Sequence, residues 1–224
     1  MAGLLVSVRS PSEALAAVSG GATLIDIKEP ANGPLGMADH SVWSAVAEIL
    51  PAQIPLSVAL GELREADRLQ AALPDRVKYA KLGLAGAGAN WTHAWTDVRS
   101  RLRSPHVVWV TVAYLDWQVA NAPNPDEVLD AAIDDDDCGV ILVDTFHKSG
   151  ASRLDLNWRP WVEKARAGGL KVALAGGLTP EAIDRLRGLE PDWFAVRGAA
   201  CKAGNRTGEI DSALVAQLVQ CVNL

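Results

Sequence analysis

The sequence predicts an α/β fold in one domain spanning residues 1–224, a single (β/α)8 TIM barrel. Three observations lead there. Short β-rich runs recur along the whole chain, helical patterns alternate with them, and no linker or low-complexity segment interrupts the alternation. That rhythm is the mark of parallel strands joined by crossover helices, and eight of each close a barrel. An open doubly wound sheet is the alternative, but it uses only about five to seven strands, so the count favours closure.

The strands, in order, are LLVSV (4–8), LIDIK (24–28), LSVAL (56–60), YAKLGL (79–84), VVWVTVAY (107–114), GVILVDT (139–145), KVALAGG (171–177) and WFAVRGA (193–199). Most are rich in β-branched or aromatic residues and end at turn formers. The first helix opens at Pro11-Ser12-Glu13 and closes at Gly20-Gly21. The second, third and fourth are expected over 39–50, 62–73 and 90–103. Asn124-Pro125-Asp126 caps a fifth that ends near Asp134, and a sixth over 155–167 stops at Gly168-Gly169. Thr179-Pro180-Glu181 starts a seventh with an N-cap and a proline in its first turn, and 209–224 is the last.

Composition narrows the function. Apolar residues make up 49% of the chain, enough for a large core and too many for a disordered one. The net charge of −6 argues against a nucleic-acid partner, but a few local cations can still hold an anionic small substrate. Cys138, Cys201 and Cys221 are odd in number and widely spaced, as expected of reduced thiols in a cytoplasmic protein. The N-terminus lacks a basic segment, and no apolar run reaches the roughly 18 residues of a membrane span, so no membrane partner is expected. A homo-oligomer stays open.

Barrel strands turn alternate residues inward, and their C-terminal ends carry the chemistry. Asp26 and Lys28 share one face of the second strand, while Ile25 and Ile27 face the helices. Lys81 faces away from Leu82 and Leu84, Asp144 opposes Val143, and Lys148 follows four residues later. Ser7 and Arg9 share a face, and the eighth strand runs into Arg197. Structural salt bridges are the plain alternative, but burying ions costs on the order of several kcal/mol each. The lysines have a chemical use. An ordinary lysine, with pKa about 10.4, is only about 0.04% neutral at pH 7. Burial and neighbouring cations lower that value, so a cluster makes one lysine nucleophilic toward a carbonyl. The neighbouring carboxylate can then move protons on the carbinolamine.

Ala175-Gly176-Gly177-Leu178-Thr179 and Arg197-Gly198-Ala199-Ala200-Cys201 follow the last two strands. Barrels of this type hold phosphate there on backbone N–H groups. Gly176, Gly177, Gly198 and Ala199 let the backbone approach an anion, and Arg197 adds charge. Two tight turns are the plainer reading; their joint position favours the anion site.

These segments also resemble a known family. Ile25-Asp26-Ile27-Lys28-Glu29-Pro30, Lys81-Leu82-Gly83-Leu84, Asp144-Thr145, Lys148, Ala173-Leu174-Ala175-Gly176 and Val196-Arg197-Gly198-Ala199-Ala200-Cys201 are similar to those of (5-formylfuran-3-yl)methyl phosphate synthases. Those enzymes build the furan ring of methanofuran and methylofuran. The resemblance runs in order from Leu4 to near Val219. It implies a TIM-barrel lyase that joins two glyceraldehyde 3-phosphate molecules into one furan aldehyde phosphate, releasing one phosphate and two waters. It implies that Lys28 forms the Schiff base and Lys81 accepts a proton, with Asp26, Asp144 and Lys148 in the same pocket. Two phosphorylated substrates require two anion sites. The loops after the last two strands would hold one. Arg9, Lys148 or the glycine-containing loop after Lys28 would hold the other. Ser149-Gly150, a short connection between the third and fourth strands, and the tryptophan content depart from the pattern expected of archaeal members.

Other features carry plainer readings. Trp91/Trp95 and Trp158/Trp161 have helical spacing and fit packing. The acidic run 134–137 precedes the sixth strand, at the barrel end away from the chemistry, and fits a solvated turn. His40, His93, His106 and His147 form no ligand pair, so no metal is expected. His147 has a possible site role only through its neighbour Lys148. Cys201 fits a small buried residue. The glycines of 83–88 do not make a nucleotide fingerprint, so no cofactor is expected. Two competing functions remain: another Schiff-base aldolase or sugar-phosphate isomerase, and a non-catalytic phosphosugar-binding barrel.

Overall fold

The computed structural model describes residues 2–223 apart from 70, 71, 103, 105 and 149–153, so the departure at Ser149-Gly150 lies outside the described residues. The strands are β1 (Gly3–Val8), β2 (Leu24–Ile27), β3 (Leu56–Glu62), β4 (Val77–Gly83), β5 (Val108–Tyr114), β6 (Cys138–Asp144), β7 (Lys171–Leu174) and β8 (Trp193–Val196). They form one closed barrel in sequence order. All neighbours run parallel, and β8 closes on β1 with Leu5 opposite Ala195 and Val6 opposite Val196. The helices are α1 (Pro11–Ser19), α2 (His40–Ile49), α3 (Trp91–Leu102), α4 (Trp117–Ala120), α5 (Pro125–Ile133), α6 (Arg159–Ala167), α7 (Pro180–Leu186) and α8 (Ser212–Asn223).

Strand alternation sorts the side chains into two cores. Val6, Val8, Ile25, Ile27, Leu82, Val143 and Phe194 face outward against the helices. Leu5, Leu24, Tyr79, Val110, Val140, Leu142 and Ala173 fill the barrel. Tyr79 and Trp193 meet edge to face, 5.7 Å apart, across the lower interior. Above this apolar floor the inward positions turn polar: Ser7, Asp26, Lys28, Ser57, Lys81 and Asp144 are all buried. A dry floor beneath a charged mouth is what makes the pKa shifts described below large.

The structure corrects one element. The helix expected over 62–73 is absent; β3 continues to Glu62, and a 3-10 helix over Leu63–Arg68 follows. The cause is a bulge between Ala59 and Glu62, where Gly61 takes φ +85°, a conformation that favours glycine. The bulge lets the buried Glu62 carboxylate accept hydrogen bonds from Tyr114 Oη (2.8 Å) and the Ala85 N–H (2.9 Å). β7 and β8 also stop earlier than expected, which leaves Gly176-Gly177 and Arg197–Cys201 outside the strands. α8 begins late because Cys201 and Ile210 pair in an antiparallel bridge that closes the loop after β8. Among the described residues, no helix is long and apolar enough to cross a membrane.

Arg197 locks the β1–β8 seam. Its guanidinium donates to both Glu13 oxygens, and also to the carbonyls of Ser7 (2.9 Å), Arg206 (2.7 Å) and Gly208 (2.8 Å). Removing one partner of such a buried pair costs about 3–5 kcal/mol, whereas a solvent-screened pair contributes only about 0–1 kcal/mol. Urea unfolding should therefore show Arg197→Leu strongly destabilised. Arg9→Leu, which breaks the partly exposed pair with Glu29, should stay near wild type.

Candidate active site

A cavity of about 500 Å³ opens at the C-terminal ends of the strands, with Lys28, Lys81, Asp144 and Lys148 in its wall. Behind Lys81, fully buried, lies Asp26. Cross-strand register places Ser7 opposite Asp26 on one side and Ser57 opposite it on the other. Both hydroxyls donate to the carboxylate at 2.9 Å, and Lys81 Nζ lies 2.8 Å from Oδ1. Burial pushes the Asp26 pKa up. The charges of Lys81 and Lys28, with hydrogen bonds from Lys81 and Ser57, outweigh that and hold the carboxyl below its usual range.

Lys28 differs from Lys81 in one respect: no carboxylate lies within ion-pair reach of it among the described residues. Its Nζ makes only a 3.3 Å hydrogen bond to the Pro34 carbonyl. Burial first, and the Lys148 charge second, drive its pKa down to about 7, against the opposing pull of Asp144 and Asp26. Lys28 therefore reaches its neutral, nucleophilic form far more readily than an ordinary lysine does. Lys148 pairs closely with Asp144, which also accepts the Thr145 N–H at 2.7 Å. Burial pulls the Lys148 pKa down as well, and the Asp144 charge resists it.

Two loops complete the wall. Gly176 and Gly177 have φ of +95° and +68°, and a Cβ on Gly176 would approach Thr145 to 3.1 Å. A turn of this kind leaves successive N–H groups able to face an anion. Among the described residues, the amides of Gly176, Gly177, Gly198 and Ala199 have no protein acceptor, and all four residues line the cavity.

The two arginines expected at the phosphates are engaged elsewhere. Arg9 does not line the cavity; it pairs with Glu29 at 2.8 Å and donates to the Thr207 carbonyl at 2.7 Å. Arg197 lines the cavity, but its guanidinium is held by Glu13 and the three carbonyls named above. His147 is exposed, with its ring 3.5 Å from Asp116. Asp116 accepts the N–H groups of Phe146 (2.7 Å) and His147 (2.9 Å) and so fixes the loop carrying Lys148.

Four participants escaped the sequence reading: Ser57, Glu62, Asp116 and Arg206. Ser57 was accessible, because it is the inward position of β3 beside Asp26. Glu62 depends on a bulge. Asp116 and Arg206 lie in loops without a motif. Away from the mouth, Arg99 pairs with Asp135 at 2.6 Å, Trp95 packs edge to face on Trp109, and Cys201 is buried.

A family model described as 4-HFC-P synthase matches residues 4–219. The (5-formylfuran-3-yl)methyl phosphate synthase of Methanocaldococcus jannaschii is 32% identical over 230 residues, covering 96% of this chain and 97% of that protein. The synthase of the same name from Methanopyrus kandleri is 34% identical over 234 residues, covering 98% of each. Among solved structures, phosphoribosyl anthranilate isomerase from Thermus thermophilus superposes with a TM-score of 0.65 at 18% identity, covering 100% of this chain and 98% of that one. At that identity the likeness concerns the barrel fold alone.

The Lys28 environment makes a pH prediction. Below pH 7 the folded and unfolded chains both carry the proton, so folding must bury a charge. From about pH 7 to the ordinary lysine range the folded chain has lost the proton, and the penalty fades. Chemical denaturation should find Lys28→Met more stable than wild type at pH 6–7, with the gain shrinking toward pH 10.

Proposed function

This chain belongs to the 4-HFC-P synthase family, and from that premise we propose that it acts as a carbon–oxygen lyase on triose phosphates. It condenses two glyceraldehyde 3-phosphates into 4-(hydroxymethyl)-2-furancarboxaldehyde phosphate, releasing one phosphate and two waters, through a Schiff base on Lys28. Atoms balance with no external oxidant or reductant. The observation that carries the reading is a buried lysine with no carboxylate in ion-pair reach among the described residues, in the wall of a cavity that it shares with a second lysine; burial lowers its pKa.

Neutral Lys28 attacks the carbonyl carbon of the first triose. Lys81 starts as the ammonium partner of Asp26 and gives its proton to the departing carbinolamine hydroxyl, which leaves as water. The iminium then acidifies the adjacent C–H, and the now neutral Lys81 takes that proton, leaving an enamine. The enamine carbon attacks the carbonyl of the second triose. Loss of phosphate, ring closure and dehydration give the furan, and hydrolysis frees Lys28. Asp26 holds Lys81 in place throughout, and Asp144 positions Lys148. The backbone amides after β7 and β8 hold one phosphate.

Incubation with glyceraldehyde 3-phosphate, borohydride reduction and peptide mapping should find the adduct on Lys28, while near-ultraviolet absorbance reports the furan. Lys28→Arg should give neither. Lys81→Arg keeps the charge beside Asp26 but supplies neither the proton donor nor the neutral base; it should form the adduct more slowly and slow furan formation roughly 10²–10⁴-fold. Absence of both adduct and furan in the wild type would refute the reading, and an adduct on Lys81 would exchange the roles of the two lysines.

A further inference from the structure

Two triose phosphates bring two phosphoryl groups, and the amide loops account for one. The charges around the cavity identify the group that meets the other. Lys81 is balanced by Asp26, Lys148 by Asp144, Arg197 by Glu13, and Arg9, outside the cavity, by Glu29. Arg206 also lines the cavity, and no carboxylate lies within ion-pair reach of it among the described residues. Its one hydrogen bond from the guanidinium is a long contact of 3.5 Å with the Gly33 carbonyl, in the loop after β2. An uncompensated, partly buried cation facing a cavity favours an anionic occupant.

The rest of the loop is built to hold it there. Arg197 Nε grips the Arg206 carbonyl at 2.7 Å, Arg9 Nη1 the Thr207 carbonyl at 2.7 Å, and Arg197 Nη2 the Gly208 carbonyl at 2.8 Å. The Asn205 side chain accepts from the Thr207 N–H and hydroxyl, and the Cys201–Ile210 bridge ties the base of the loop. The donors that Arg9 and Arg197 do not use on Glu29 and Glu13 thus hold the backbone of this loop, and the Arg206 side chain lines the cavity. Its guanidinium extends toward Gly33 in the loop after β2, and its field reaches Asp144 and Lys148.

We infer that Arg206 is the seat of the second phosphoryl group, recognising the dianion of the acceptor triose phosphate beside Lys148. This assignment rests on the condensation proposed above. A guanidinium suits the task because its planar fork matches two phosphate oxygens at once. Arg206 therefore selects a phosphorylated acceptor, while formation of the first adduct does not need it.

Two measurements test this on the whole enzyme. Calorimetric titration with inorganic phosphate should find two sites per wild-type chain and one in Arg206→Gln. With glyceraldehyde 3-phosphate, Arg206→Gln should form the borohydride-trapped Lys28 adduct at wild-type concentrations, yet need roughly ten- to a hundredfold more triose for furan formation. Arg206→Lys should recover part of the loss. Unchanged phosphate stoichiometry and unchanged triose dependence would overturn the assignment, as would equal losses of adduct and furan. If the wild type forms neither adduct nor furan, the condensation itself fails, and the phosphate stoichiometry still decides whether Arg206 is an anion site.

Discussion

A carboxylate without solvent contact sits in the barrel beside β1, β3 and β4, and the arrangement of charge at the mouth follows from satisfying it. Asp26 takes two serine hydroxyls and one ammonium, and the ammonium belongs to Lys81, not to Lys28 one pleat away. Asp26 is committed to Lys81 and Asp144 to Lys148, so neither carboxylate pairs with Lys28. Burial and the Lys148 charge then outweigh the pull that Asp144 and Asp26 still exert on it. In the proposed mechanism this difference divides the labour between two chemically identical side chains: Lys81, held by Asp26, trades protons, and Lys28 attacks a carbonyl. The floor of Leu24, Tyr79, Val110, Val140 and Leu142 keeps water from screening these interactions from below.

The same logic extends to the other side of the mouth. Arg197 and Glu13 neutralise each other within the β1–β8 seam, and the remaining donors of Arg197 hold the loop after β8 in shape. Charged groups therefore do two kinds of work. Arg197 fixes backbone and seam; Lys81 and Lys148 line the cavity with their carboxylates beside them, and Lys28 and Arg206 line it with no ion pair among the described residues. Neutral amides at Gly176, Gly177, Gly198 and Ala199 offer anion contacts that bring no further formal charge near Lys28. In the proposed reaction this would let a phosphorylated substrate be held without a cation against every phosphate oxygen.

The barrel was legible because period-two alternation survives in nearly every strand and glycine or proline marks most ends. Ile25, Asp26, Ile27 and Lys28 take the faces that alternation assigns, as do Leu82 and Val143. The helix expected over 62–73 failed for a local reason: helical spacing in that stretch competes with a bulge at Gly61 and with the hydrogen bonds that Glu62 gains by staying extended. Arg9 and Arg197 looked like phosphate ligands because position and charge were visible while their carboxylate partners, twenty and 184 residues away, were not. Arg206 was hidden for the opposite reason, since its importance lies in a partner it lacks.

Lys28 titrates near neutrality because burial and the Lys148 charge outweigh the pull of Asp144 and Asp26. Nuclear magnetic resonance of protein carrying 13C at the lysine Cε positions tests it directly, with the Lys28 signal assigned by its loss in Lys28→Arg. The account predicts that this resonance titrates at about pH 7. A Lys28 resonance that titrates near pH 10, as an ordinary lysine does, would contradict it.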